Sequence, residues 1–405
     1  MSQNTGTVLF TWEIGQGFGH VLPLLPIARQ LKSKGHTVIF ALRNVCGLGA
    51  LLQGEGFVVL QAPTHPSRYS PYTGAQPRTM TDILALFGFA SERDLRALSG
   101  AWKALFKLIT PDLVIASYAP LSLITAHRAG IPTLLLALPF ELPPALHPLP
   151  DLRTGRSPVN SDLDQQVIEA VNDVFEGGAI TAVHQIFRAT QQVVMSFPEL
   201  DAFGPRTGMS YSGNLFVTDI GAPVQWPKSV GTGTRKIFAY LYGSTRFHLD
   251  FSQKLKATEH SYCVSLRDAS REATQAWAAP NISVVSCPVR LDQALRECDA
   301  AIGHGGAGFV SASLMAGKPL LLLPPQLETY LTSQQVAKLG AAVVFDPHNL
   351  GEIAQALSQV LEKDAYRETA EKFARKYGDH TSAKVANGIV FRIEKLLENR
   401  DSLQA

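Results

Sequence analysis

His304 is followed by Gly305, Gly306, Ala307 and Gly308, a glycine run set between an apolar strand pattern at Ala300 to Ile302 and a segment of helical spacing, Val310, Ala312, Leu314, Met315 and Ala316. The first N–H groups of a helix have no intrahelical partner and carry the positive end of its dipole, so such a junction attracts an anion. Glycines lack a Cβ, which lets a phosphate approach the backbone, and a histidine at the mouth can donate a hydrogen bond to a phosphate oxygen or a sugar substituent. The same residues also suit a plain tight turn with a surface or internally satisfied histidine, and the loop alone leaves both open. A second candidate is His20, an imidazole suited to general acid–base work near neutral pH. It ends a run containing Gly15, Gly17 and Gly19. As a dinucleotide fingerprint that run is imperfect: His20 stands where the third glycine belongs, and Arg43 stands where an acidic residue would close the second strand. A third candidate is the pair Asp162 and Asp164 in SDLDQQ. No apolar strand precedes it, so it reads as a helix start, where acidic side chains complement the dipole, rather than as a metal site.

The elements that must position these residues follow a repeated order. VLFTW is a strand, EIGQGFGH a glycine-rich loop, and the next segment a helix with Leu24, Leu25, Ala28 and Leu31 on one face, closed by Gly35 before a strand from Thr37 to Leu42. Strand, glycine loop, helix and strand recur near residue 300, which predicts two Rossmann-like α/β halves. Further strand patterns are Phe57 to Gln61, PDLVIASYAP, GIPTLLLAL, KIFAYLYGST, Tyr262 to Leu266, Ile282 to Ser286 and a strand opening at Leu320. Two irregular stretches, THPSRYSPYTGAQPRTM and the Pro-rich run from Pro139 to Asn160, belong at strand ends, where an open α/β sheet places its ligand. GAPVQWPKSVGTGTR, without periodicity, reads as a linker. The expected division is 1–222 for a first domain, 223–235 for the linker, 236–380 for a second domain and 381–405 for a last amphipathic helix, with Val385, Ile389, Ile393 and Leu396 on one face.

Composition narrows the function classes. The 405 residues suit two domains of ordinary size, and 46% apolar with 17% charged residues fits a globular chain. Net charge is +2, from 36 basic and 34 acidic residues without a dense basic cluster, which argues against nucleic acid as a partner. Cys46, Cys263, Cys287 and Cys298 lack CxxC spacing and read as free thiols. The first residues lack the features of a signal peptide and no apolar run approaches bilayer length, so a cytoplasmic location is expected, with peripheral membrane contact left open.

The stretch from His304 through PPQLETYLTSQQ resembles the donor signature of nucleotide-sugar-dependent glycosyltransferases of the GT-B fold, the UDP-glycosyltransferase and macrolide glycosyltransferase-like superfamily. His304, Gly305, Gly306, Gly308, Gly317, Pro319, Pro324 and Glu328 stand in the places of that signature. GFGHVLPLLPIARQLKSKGHTV matches the other one, with His20 and Pro23 in place and His36 as the second, structural histidine. The resemblance implies two facing Rossmann-like domains with parallel sheets and an interdomain cleft, the first holding an acceptor and the second a donor. It implies an inverting transfer of a sugar from a UDP- or TDP-type nucleotide to a hydroxyl of a small lipophilic acceptor, with His20 as general base, no metal and no resident cofactor. It assigns donor contacts to Gly243, Ser244, Val289, His304, Gly305, Gly306, Ala307, Gly308, Phe309, Glu328 and Thr329, and acceptor contacts to Phe18, Phe140 and Glu141.

The chain departs from the pattern at several places. Ser117 occupies the catalytic position where the family pairs its base with Asp, Phe309 replaces a hydroxyl residue, Thr329 replaces Gln, and Ser286 replaces a base-stacking aromatic. The alternatives that the resemblance carries are a non-catalytic homologue that activates or chaperones a partner enzyme, and a sugar-nucleotide epimerase.

Overall fold

The structure, a computed structural model, describes residues 5–15, 19–66, 77–153, 162–216, 221–227, 234–243, 248–346 and 350–399. The chain forms two compact units, one of residues 1–197, 206–215 and 381–405, the other of 198–205 and 216–380.

The first unit runs β1 (Thr7–Trp12), α1 (Leu25–Ser33), β2 (Thr37–Leu42), α2 (Val45–Gly54), β3 (Val58–Gln61), α3 (Met80–Leu86), α4 (Glu92–Ile109) and β4 (Leu113–Ala116). It continues with α5 (Pro120–Arg128), β5 (Thr133–Ala137), α6 (Asp162–Val174) and β6 (Gln191–Val194). All strands are parallel, in the order β3-β2-β1-β4-β5-β6. β4 and β5 are buried along their whole length, as their unbroken runs LVIA and TLLLA require of strands covered on both faces.

The second unit runs β7 (Lys236–Tyr242), α7 (His248–Lys256), β8 (Ser261–Arg267), α8 (Arg271–Trp277), β9 (Ile282–Val285), α9 (Leu291–Glu297) and β10 (Ala300–Gly303). α10 (Ala307–Met315), β11 (Leu320–Leu322), α11 (Leu327–Leu339), β12 (Ala342–Val344), α12 (Ile353–Glu362) and α13 (Asp364–Lys376) complete it. Its parallel order, β12-β11-β10-β7-β8-β9, is that of the first sheet read from its own first strand. The last helix, α14 (Ser382–Glu398), packs on α1 and β4 of the first unit through Val385, Ile389, Ile393 and Leu396.

In each sheet the strand order reverses beside the first strand, between β1 and β4 and between β7 and β10. The carboxyl ends of such neighbours are where doubly wound sheets hold ligands. Both histidine-bearing loops leave the sheet there, after β1 and after β10.

The expected linker differs from the structure. Residues 221–227 are anchored on the second unit: Ala222 exchanges backbone bonds with Pro288 and Arg290, Val224 is buried, and the Trp226 indole N–H donates to Glu297 at 2.7 Å. Val224 and Trp226 dock as apolar side chains that a Pro- and Gly-rich composition conceals; residues 228–233 lie outside the described ones. Pro198–Pro205, expected within the first domain, joins the second unit, where Glu199 accepts from Lys376 and from the Tyr377 hydroxyl.

Candidate active site

His20 follows β1 and precedes a 3₁₀ turn, Leu22–Leu24, which Pro23 opens. The ring is 5% exposed and stacks on Trp12, the last residue of β1, at 5.9 Å, with Tyr118 tilted against it at 5.5 Å. Its Nδ1 lies 2.6 Å from Glu141 Oε1. Glu141 Oε2 accepts the Leu138 N–H at 2.9 Å, closing the turn that Pro139 starts after β5. A carboxylate accepting at both oxygens favours the imidazole proton on Nδ1, with the lone pair on Nε2. Gly15 accounts for access to that nitrogen. It has φ +94°, and a Cβ there would overlap Nε2 and lie 2.9 Å from Cδ2.

Several expected roles change. Ser117 Oγ donates to the His20 carbonyl at 3.2 Å, so this hydrogen bond fixes the backbone of His20. Glu141, expected at the acceptor, is the partner of His20: its side chain is fully buried and both oxygens are engaged. Phe140 is buried beside it. Phe18 lies outside the described residues. His36 is structural, its Nδ1 accepting the Gly6 N–H at 3.1 Å.

Glu13 completes the support. Pro120 has no N–H, so the first free donors of α5 are those of Leu121 and Ser122, and Glu13 accepts both, at 2.9 and 2.6 Å. Burial pushes its carboxyl up to about 8 against the lowering effect of these two bonds. The Tyr118 carbonyl accepts from Glu13 N–H and Ile14 N–H, which holds Tyr118 at φ +46° with its ring on His20. The loops after β1 and β4 are thus laced together around His20. The legible sign of Glu13 and Glu141 is an acidic residue just beyond an apolar strand, where an unpaired carboxylate would be costly.

In the second unit each loop glycine has its own reason. Gly305 sits at φ +83°, and a Cβ would overlap Ser333 Oγ and lie 2.7 Å from the Thr329 carbonyl oxygen, so this residue lets the loop seat on α11. Among the described residues, Gly306, the N-cap of α10, and Gly308 have nothing within 4 Å of a built Cβ. Among the described residues, neither glycine therefore closes off the helix end that carries the N–H groups of Ala307, Gly308 and Phe309, the place where an anion would bind. Gly243 admits the turn after β8, since a Cβ would lie 2.5 Å from that of Ala269; Ser244 lies outside the described residues.

Three expected donor contacts are placed differently. The Phe309 ring lies on the sheet, 5.7 Å from Tyr240 and 6.2 Å from Phe238, over Gly303, where a Cβ would overlap it; only its N–H faces the helix end. Thr329 is buried and its hydroxyl donates to the Gln326 carbonyl at 2.9 Å. Val289 is buried and forms a backbone bridge with Ala222. Glu328 stands half-buried in the first turn of α11, beside the residue on which Gly305 seats.

His304 is 5% exposed and stacks flat on Tyr242, with ring centroids 5.3 Å apart and planes at 11°. Burial pushes its pKa down to about 4, so near neutral pH it offers a hydrogen bond and not a cation. The unfolded chain, with an ordinary histidine, binds more protons between about pH 6.5 and 4, so the contribution of His304 to stability is present above that window and is lost as pH falls through it. Two and a half pKa units correspond to roughly 3 kcal/mol. Melting curves should show wild type losing about that much more stability than His304→Gln between pH 7 and pH 4; parallel losses would contradict the buried neutral ring.

Asp162 and Asp164 open α6, as the sequence predicts. Asp164 is buried and accepts from the Thr81 hydroxyl and, at 3.1 Å, from the Leu149 N–H, which ties α6 to α3.

Comparison with known proteins agrees with this architecture. Residues 253–392 match the family described as Erythromycin biosynthesis protein CIII-like, C-terminal domain. Erythronolide mycarosyltransferase of Saccharopolyspora erythraea is 32% identical over 127 residues, 29% of this chain and only 30% of that protein. L-demethylnoviosyl transferase of Streptomyces niveus is 24% identical over 395 residues, 92% of this chain and 95% of that one. The solved structure of spinosyn rhamnosyltransferase SpnG complexed with thymidine diphosphate superposes with a TM-score of 0.68 at 14% identity, over 95% of this chain and 99% of that chain. The chain has the GT-B fold, and the family match lies in its second unit and last helix.

Proposed function

We propose that the protein is an inverting glycosyltransferase that moves a sugar from a TDP- or UDP-type nucleotide to a hydroxyl of a small lipophilic acceptor. The observation that carries this reading is the buried His20–Glu141 pair at the carboxyl end of β1, with Gly15 clearing Nε2. A hydroxyl is a weak nucleophile until a positioned base takes its proton in the transition state. The acceptor oxygen attacks the anomeric carbon as its proton passes to Nε2, and Glu141 stabilises the resulting imidazolium through Nδ1–H. The bond from the anomeric carbon to the diphosphate oxygen breaks on the opposite face, which inverts the centre. Negative charge then grows on the diphosphate, where the open N–H groups at the start of α10 and a hydrogen bond from His304 stabilise it without a metal ion. The sugar-transferase names of the relatives and the thymidine diphosphate in the SpnG structure support the donor class.

The test is release of TDP or UDP from sugar nucleotides, measured with and without a panel of hydroxyl acceptors in the presence of EDTA. Release that depends on an acceptor and tolerates EDTA is expected. Activity that vanishes with EDTA and returns with Mn²⁺ would refute metal independence. Release without consumption of any acceptor points to an epimerase or hydrolase, and calorimetry that finds no nucleotide binding leaves the non-catalytic partner reading.

A further inference from the structure

Arg43 follows β2, at the same carboxyl edge of the first sheet as His20. Its carbonyl accepts from Gln61 Nε2 at 2.7 Å, its Nη1 donates to the Glu13 carbonyl at 3.1 Å, and its guanidinium lies 5.0 Å from the Phe87 ring centroid. The side chain is thus held in place, and it is half-buried. Among the described residues no carboxylate pairs with it. Glu13 commits both carboxylate oxygens to the start of α5. The segments of the first unit outside the described residues contain a single acidic residue, Asp401, beyond the last helix. Burial pushes the Arg43 pKa down, and the group that acts electrostatically against this is Tyr118, the residue whose ring rests on His20. The Glu13 carbonyl that receives Nη1 lies two residues from Gly15, where a Cβ would overlap Nε2 of His20.

A partly buried cation without a counter-charge is costly, and the cost is removed when a ligand brings the anion. With Nη1 on a carbonyl and the face on Phe87, the Nε and Nη2 edge has no partner among the described residues, and it is a planar fork that matches a carboxylate. We propose that Arg43 recognises a carboxylate carried by the acceptor, so that the acceptor class is an amphiphilic hydroxy acid rather than a neutral alcohol. The assignment rests on the proposed transferase reading for its setting, and its test does not depend on turnover.

Titration calorimetry is run with three hydroxyaryl carboxylates, 6-hydroxy-2-naphthoate among them, each beside its methyl ester, which keeps ring and hydroxyl and removes the charge. Wild type should bind the acids about tenfold or more tightly than the esters, as a charge-assisted fork requires. Arg43→Gln, which keeps a donor for the Glu13 carbonyl, should equalise the two, and Arg43→Lys should retain part of the preference, with melting curves confirming that both variants are folded. The inference is overturned if wild type binds no acid better than its ester, binding of neither included, or if Arg43→Gln keeps the preference. Because no sugar nucleotide is used, His20→Ala should show the wild-type ratio. Undiminished transfer by that variant would sink the transferase mechanism and leave the acid preference as a separate result.

Discussion

Changing His20 to alanine is expected to lower transfer by roughly 10²- to 10⁴-fold while the Kd for TDP, measured by calorimetry, stays at its wild-type value. The proposed base belongs to the first unit and the helix end of α10 to the second, so loss of the imidazole is expected to remove proton transfer and leave nucleotide contacts alone. Glu141→Gln should be nearly as damaging for a different reason. Glu141 accepts from both Leu138 N–H and Nδ1–H, and an amide has one acceptor oxygen. If the amide oxygen keeps Leu138, its NH₂ faces Nδ1, which must then accept, and the proton moves to Nε2, where the base is needed. Ser117→Ala separates orientation from charge: it removes one hydrogen bond to a backbone carbonyl, a change of about 1 kcal/mol, and should leave most of the activity. Because His20 and Glu141 act as one unit, the double variant should be little worse than either single. Wild-type turnover in His20→Ala, or a Ser117→Ala loss as large as that of Glu141→Gln, would overturn the assignment.

The contrast between Glu141 and Ser117 shows where the sequence is legible and where it stops. Both glycine loops, the strands around them and the helix from Ser382 follow from period and punctuation, because apolar runs buried on two faces and glycine-closed helices leave local marks. The partner of the base leaves no such mark. Its position relative to His20 depends on β5 lying beside β4, and β4 beside β1, a pairing across 121 residues. The motif position, Ser117, is occupied by a residue that faces a carbonyl instead. Glu13 is hidden in the same way, since the helix it caps begins more than a hundred residues later. Phe309 sits in the signature stretch, yet its ring is turned to the sheet by the missing side chain of Gly303, a fit visible only once β7 and β10 are paired. β6 begins with two glutamines and has too short an apolar run to stand out.

The two neighbouring glycines of the second loop should respond to the same substitution in opposite ways. Gly305→Ala places a Cβ on a left-handed residue, roughly 1 to 2 kcal/mol, and drives it into Ser333 Oγ and the Thr329 carbonyl, where α11 backbone cannot give way cheaply. The expected result is a loss of several kcal/mol in stability and a lowered melting temperature, with nucleotide binding lost as a consequence. Gly306→Ala meets nothing within 4 Å and occupies φ −63°, ψ 135°, which any residue adopts. The poorer helix cap offers one small loss and the stiffer unfolded chain one small gain, so stability should change by less than about 1 kcal/mol. The added methyl group nevertheless stands at the mouth of α10, where a phosphate would approach the N–H groups of Ala307 and Gly308. Losing one charge-assisted hydrogen bond costs roughly 1.5 to 3 kcal/mol, about tenfold or more in Kd. TDP affinity should therefore fall at least tenfold in a protein that melts like wild type. If Gly306→Ala binds TDP as tightly as wild type does, the open helix end is only the turn that joins β10 to α10, and the leaving diphosphate must be stabilised elsewhere.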